Sequence, residues 1–399
     1  MQRLEFTLPT VLILGLLSAV TPLAIDTYLP SIPTIARSIV APIDLVQLTV
    51  SVYLLTFALL QLFFGPLSDS FGRRKIVLIG LTLYMLGSIV CALANSFEVL
   101  ILGRVIQACG GAAVAVCVPA LVSDSFSKEL FSKAMSYVFL VMAIAPLIAP
   151  IIGGAILVVF DWHYIFLFLA LMAIISIGLF SRYIPETLPA ENRVPFSFVR
   201  VIKGYRRLLR NRGVVGHIVT GAFHFGGLMC LVTGSAFVYI ELYQVEEVYF
   251  GFLFGAGVVG MMLMTTVNSQ LVEKVGSKKM IYISLGLIAL ASLTLASIAF
   301  MNQPPLWALL LATTLFIAPI SSLGSNLMVG ALAHAQESKG SVVALTGTSR
   351  FMGGALSGGI LSFLHNDTFV PMVGIMAVMG LLSLSTYLLI VPKNTKVTS

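Results

Sequence analysis

Twelve times along this chain of 399 residues, a run of about 20 apolar residues passes with almost no charge, long enough as a helix to cross the hydrocarbon of a bilayer. Nothing constrains the fold more. Lipid offers no hydrogen bonds, so the backbone N–H and C=O groups of each run must pair with one another, which only helices or a closed barrel achieve. A spanning strand needs only about 10 residues, so runs of this length predict helices. We place them near 8–28, 45–65, 76–94, 98–121, 135–159, 163–184, 214–240, 249–271, 280–300, 305–327, 340–364 and 368–391. With 58% hydrophobic and 10% charged residues, too little polar surface remains for a water-soluble globule of this size. The expected fold class is an all-α membrane protein.

The cations then orient the chain, because Lys and Arg in short loops stay on the cytoplasmic side. With both termini in the cytoplasm, all but three of the 23 lysines and arginines fall on that side, Arg3, Lys393 and Lys396 among them. Arg37 lies outside; Arg104 and Arg350 are left within the membrane. This asymmetry accounts for the net charge of +7 and removes it as a sign of nucleic-acid binding. The basic connection between spans 6 and 7 fits a helix lying on anionic headgroups. Cys91, Cys109, Cys117 and Cys230 all lie in apolar spans without metal-ligand spacing, and no metal is expected. Cleavage of span 1 as a signal peptide would unbalance the charge pattern, so span 1 is expected to be retained.

Between spans 2 and 3 runs Gly65-Pro66-Leu67-Ser68-Asp69-Ser70-Phe71-Gly72-Arg73-Arg74-Lys75. An echo lies 204 positions later, pairing Leu67 with Leu271, Asp69 with Glu273, Gly72 with Gly276, Arg74 with Lys278 and Lys75 with Lys279. An offset near half the chain length predicts two related halves: a six-helix bundle over 1–184, a cytoplasmic linker over 185–213 and a second six-helix bundle over 214–399. Topology alone explains the cations Arg73, Arg74 and Lys75. It does not explain Asp69 and the glycines Gly65 and Gly72, which read as a latch between helices, made in one conformation and released in another.

Polar residues inside spans are costly and mark function by default. Asp26, in Asp26-Thr27-Tyr28-Leu29-Pro30 at the end of span 1, is either such a carboxyl or a solvated helix-end residue. Arg104 in span 4 either pairs, with Asp26 as the candidate, or snorkels outward. In span 2, Tyr53, Phe57 and Gln61 share one helix face, which lines a cavity or packs on a neighbour. Span 5 carries Pro146, Pro150, Gly153 and Gly154: two bends, then a surface that lets another helix approach closely. Span 11 echoes the glycines alone. His224 in span 7 either relays protons or packs, and Tyr239 and Glu241 follow at the outer end of that span. Arg350 in span 11 faces a water-filled cavity or a carboxylate, Glu241 being one candidate. Gly255-Ala256-Gly257-Val258-Val259-Gly260 matches a dinucleotide fingerprint without the strand it requires, so it reads as helix packing. No Gly-rich loop ending in Lys-Ser or Lys-Thr is present to cradle ATP.

Together these motifs resemble the major facilitator superfamily, and within it the drug/proton antiporters of the bicyclomycin- and chloramphenicol-resistance type. The Gly65–Lys75 turn is similar to the superfamily signature between helices 2 and 3. Arg104 with Gln107 and Gly111 resembles the helix 4 motif tied to proton coupling, and the Asp26 segment the helix 1 motif of this branch. The span 5 run is similar to the exporters' antiporter motif, with Ala149 where glycine is usual. The resemblance implies a twelve-helix, two-bundle carrier with a central cavity lined chiefly by spans 1, 4, 7 and 10. Tyr28, Gln107, His224, Tyr239, Glu241 and Arg350 join Tyr53, Phe57 and Gln61 as cavity candidates. It implies a secondary transporter rather than an enzyme, in a bacterial inner membrane, monomeric, driven by a proton gradient without a cofactor. Its partners would be protons, lipid and a small-molecule substrate: hydrophobic or amphipathic drugs, or alternatively a metabolite such as an amino acid or sugar. Asp26 would bind the proton and Arg104 would tune it.

Overall fold

A computed structural model describes residues 7–335 and 339–392. Arg3, Lys393 and Lys396, which entered the charge count, lie outside the described residues. The chain forms α1 (Leu8–Asp26), a 3-10 turn (Leu29–Ser31), α2 (Ile32–Ser38), α3 (Ile43–Phe71), α4 (Arg73–Ala92), α5 (Phe97–Ser125), α6 (Lys128–Val159) and α7 (His163–Tyr183). There follow α8 (Phe198–Leu208), α9 (Arg212–Ala236), α10 (Glu247–Val275), α11 (Ser277–Ile298), α12 (Leu306–Ile317), α13 (Ile320–Ala333), α14 (Lys339–Phe363) and α15 (Val370–Ile390). No strand occurs among the described residues.

Eleven stretches of described helix are long and apolar enough to cross a membrane. The twelfth expected span is α14, whose 25 residues suffice in length. Arg350 and its many glycines, serines and threonines dilute its hydropathy. Two expected spans differ in detail. The first continues through the 3-10 turn into α2, because Pro30 and Pro33 sit at starting positions of those helices, where a missing N–H costs nothing. Arg37 therefore lies in the last turn of α2 and Asp44 in the first turn of α3, rather than in an open external loop. The tenth breaks into α12 and α13 around Pro319.

The residues group into two compact units, Met1–Ser197 with Val245–Phe252, and Phe198–Gln244 with Leu253–Ser399. The expected linker is shared out, its residues up to Ser197 counted with the first unit and those from Phe198, the start of α8, with the second. Leu208 at the end of α8 is buried with Val214, Ile218, Ala331, Val342 and Leu345 of that unit. Phe198, Val199 and Ile202 of α8 stay exposed beside its cations Lys203, Arg206 and Arg207, an arrangement suited to a lipid surface.

Glycines set the tightest helix contacts in each unit. In the first, a Cβ at Gly87 would lie 2.3 Å from the Gln107 amide nitrogen, and one at Gly110 2.3 Å from the Gly80 carbonyl oxygen, so α4 and α5 touch backbone to backbone. In the second, a Cβ at Gly353 would lie 2.4 Å from the Ala222 carbonyl oxygen. There Ser357 Oγ donates to the Gly226 carbonyl at 2.6 Å, tying α14 to α9.

Candidate functional site

The α4–α5 contact positions the buried cation of the first unit. Arg104 and Gln107 stand one turn apart on α5, both 0% exposed. Arg104 Nη1 donates to Gln107 Oε1 at 2.7 Å and to the Ala24 carbonyl of α1 at 2.9 Å. Gln107 Nε2 in turn donates to Ser88 Oγ at 2.8 Å, across the glycine-tightened interface with α4. The guanidinium carbon lies 4.9 Å from the ring centroid of Tyr28 and 4.4 Å from that of Tyr53, so two aromatic faces help to stabilise the charge. Tyr53 stacks on Phe57 with centroids 6.4 Å apart, and Gln61, one turn further, is also buried.

Asp26, the last residue of α1, is buried, two residues beyond the carbonyl that Arg104 holds. Among the described residues no ion pair joins it to Arg104, contrary to the expected pairing. Neutral acceptors and ring faces take the cation instead, leaving the acid without a counter-charge among the described residues. The glycines of α6 meet this region. A Cβ at Gly153 would lie 2.1 Å from the Thr27 carbonyl oxygen, so α6 contacts the peptide adjoining Asp26. One at Gly154 would lie 2.7 Å from the carbonyl oxygen of Glu247, also of the first unit. Pro146 and Pro150 lie inside the same continuous helix.

The turn between α3 and α4 is a wired cluster. Arg73 Nη1 lies 2.5 Å from Asp69 Oδ1 and 2.6 Å from Ser68 Oγ, and Arg73 Nε lies 3.2 Å from Asp124 Oδ2 at the end of α5. Gly72 takes φ 96°, a conformation open in practice only to glycine. Glu186 accepts from the Arg73 backbone N–H at 3.0 Å and lies 3.7 Å from Arg193 Nη2. Arg74 Nη2 donates to the Ser181 carbonyl at 2.7 Å, and Lys75 Nζ lies 6.0 Å from the Phe71 ring centroid. Gly65, inside α3, has ordinary contact room for a methyl group, so of the two glycines only Gly72 is required by geometry. Asp124, Glu186 and Arg193 were missed in sequence. Asp124 closes a helix, and Pro185-Glu186-Thr187-Leu188-Pro189 reads as a helix stop.

In the second unit the echoed turn keeps Gly276 at φ 84°, and among the described residues no ion pair involves Glu273. His224 is buried, its Nε2 2.9 Å from the Phe316 carbonyl, which can only accept; Nε2 therefore carries the hydrogen. Tyr239 is buried in the π-helical turn Phe237–Leu242 that extends α9, and Glu241 lies in the same turn. Arg350 is at the middle of α14, its guanidinium against Gly221 and Gly324. Gly221 and Glu241 are separated by about 30 Å of helix at 1.5 Å per residue, so Glu241 is not the partner of Arg350.

Residues 14–358 match the family described as the Major Facilitator Superfamily. The chain belongs to that superfamily. A bicyclomycin resistance protein homolog of Haemophilus influenzae is 34% identical over 99% of both chains. A chloramphenicol resistance protein of Pseudomonas aeruginosa is 27% identical over 91% of this chain and 86% of its own. The fold is also that of a D-xylose–proton symporter structure, at TM-score 0.77 and 18% identity, covering 98% of this chain and 99% of the other. As a superfamily member the protein is a multi-pass membrane transporter rather than an enzyme, and its likeness to the bicyclomycin and chloramphenicol resistance relatives covers 99% and 91% of the chain.

Proposed function

We propose that the protein is a proton-coupled antiporter that expels small hydrophobic or amphipathic drugs from the cytoplasm by alternating access. The observation that carries this reading is Asp26, a buried carboxyl at the end of α1, within the first membrane span, with no cation paired to it among the described residues. A charged carboxylate enclosed there is costly. Changing its access to water therefore couples its proton to the conformation. The names of the relatives, which refer to bicyclomycin and chloramphenicol resistance, support drugs as the substrate class.

Arg104 acts on Asp26 through the backbone. By holding the Ala24 carbonyl it fixes the last turn of α1, and Gly153 fixes the following peptide from the α6 side. A shift of α1 or α6 would then move the carboxyl between enclosed and wet surroundings. The cluster around Arg73 is the latch that stabilises one state of the cycle. The energy comes from the proton gradient, without a cofactor, and the protein works as a monomer in a bacterial inner membrane with both termini in the cytoplasm.

The test is proton movement in reconstituted vesicles on addition of compounds from a chemically varied drug panel. The parent should move protons on substrate addition, and Asp26→Asn should bind substrate without moving them. Proton movement undiminished in Asp26→Asn would overturn the assignment.

A further inference from the structure

The first unit contains a sealed arginine and the second an unsealed one. Arg104 is wholly enclosed and held by a carbonyl, an amide and two tyrosine faces. Arg350, at the midpoint of α14, is only partly buried. Among the described residues its guanidinium makes no ion pair and no hydrogen bond. It does not turn to lipid either, because Gly221 of α9 and Gly324 of α13 against which it rests are themselves buried.

Among the described residues the acids of the second unit supply no counter-charge. Glu241 is about 30 Å of helix away, Glu273 closes α10 near its end, and Asp367 lies beyond the end of α14. His224 stands one turn from Gly221 on α9, and its Nε2–H is already spent on the Phe316 carbonyl. Room has been made for the cation: a Cβ at Gly324 would lie 2.3 Å from Nη2 and 3.1 Å from Cζ. A guanidinium resting against glycines, partly exposed and without an anion among the described residues, presents paired N–H donors in the spacing of a carboxylate.

We infer that Arg350 is the anchor for a carboxylate on the transported molecule, so that the substrates include amphipathic organic acids and zwitterions rather than neutral and cationic drugs alone. This rests on the efflux reading for its physiological meaning. The recognition itself is a binding property of the α9–α13–α14 region. The depth of Arg350 on a membrane-spanning helix argues for a small organic anion rather than a lipid headgroup.

The experiment is equilibrium binding to the purified full-length protein of cinnamate and naphthoate, each against its neutral carboxamide. The parent should prefer each acid over its amide by about tenfold to a hundredfold, the range of a hydrogen-bonded charge. Arg350→Gln should bring that ratio near one, and Arg350→Lys should keep part of it. Gly324→Ala, which displaces the guanidinium without removing its charge, should also lower the ratio and keeps the test decisive should Arg350→Gln fail to fold. A parent ratio near one, or an unchanged ratio in folded Arg350→Gln or Gly324→Ala, would overturn the inference. Gradient-driven efflux of neutral chloramphenicol without any preference for acids would sink this inference alone. A preference for acids without gradient-driven efflux of any compound would sink the efflux reading alone.

Discussion

Glu186 Oε1 accepts the backbone N–H of Arg73 at 3.0 Å, so a carboxylate from the segment after α7 caps the first turn of α4. An acid at a helix N-terminus satisfies orphan donors and meets the positive end of the helix dipole. The same oxygen also accepts from the N–H groups of Thr187 and Leu188, both at 3.1 Å, which fold its own segment around it. Glu186→Ala should lower stability by about 1–2 kcal/mol, in the upper range for loss of a helix cap. Glu186→Gln, which keeps an acceptor, should cost less. Thermal unfolding of the detergent-purified variants measures both.

Gly72 and Gly276 share a positive φ, at 96° and 84°, but not their surroundings. A methyl at Gly72 would lie 2.3 Å from Glu186 Oε2 and 2.9 Å from Arg193 Nη2, whereas one at Gly276 would meet nothing within 4 Å. Gly276→Ala should therefore cost only the backbone strain, about 1–3 kcal/mol. Gly72→Ala should cost that strain and also displace the Glu186 cap. Equal losses of melting temperature in the two variants would refute the difference.

The helices were legible because lipid leaves a long apolar run no alternative, and glycine at 72 and 276 marked turns that other residues strain to make. Contacts between distant segments were not. Glu186 and Arg73 lie 113 residues apart, and nothing local to Pro185-Glu186-Thr187 distinguishes a cap from a helix stop. The pairing of Arg104 with Asp26 was expected from charge alone. Its partners are a carbonyl, an amide oxygen and two rings, none of which a search for opposite charges would find. Arg350 was visible as an anomaly, but the glycines that receive it come from two other helices.

Arg73 bridges two carboxylates, Asp69 on α3 and Asp124 on α5, while its backbone is held by Glu186. A lysine delivers one point charge where the guanidinium fork reaches both. Arg73→Lys and Asp69→Asn should each slow turnover several-fold while changing substrate affinity little, since the cluster biases conformations rather than binding the ligand. Stopped-flow or vesicle flux gives the first quantity and equilibrium binding the second. Unchanged turnover in a well-expressed Asp69→Asn would remove the latch role.

Gln107 is the link whose loss reaches furthest in the first unit. Its Oε1 accepts a hydrogen bond from Arg104 Nη1 and its Nε2 donates to Ser88 Oγ, which itself donates to the Tyr84 carbonyl at 2.8 Å. Gln107→Ala would leave Arg104 with the Ala24 carbonyl as its one hydrogen-bond acceptor among the described residues, because Nε and Nη2 already lack acceptors. A buried cation stripped of an acceptor costs about 1–3 kcal/mol. No water-filled space is at hand to compensate, as Arg104 exposes no surface. Gln107→Glu supplies the acceptor again, now charged and one turn along the same helix, but gives up the donor to Ser88. It should recover the stability lost in Gln107→Ala while holding Arg104 too firmly for the last turn of α1 to move. Thermal unfolding should thus rank Gln107→Glu above Gln107→Ala, with proton-coupled flux falling in both. Wild-type flux in Gln107→Glu would show that Arg104 does not act on Asp26 through α1.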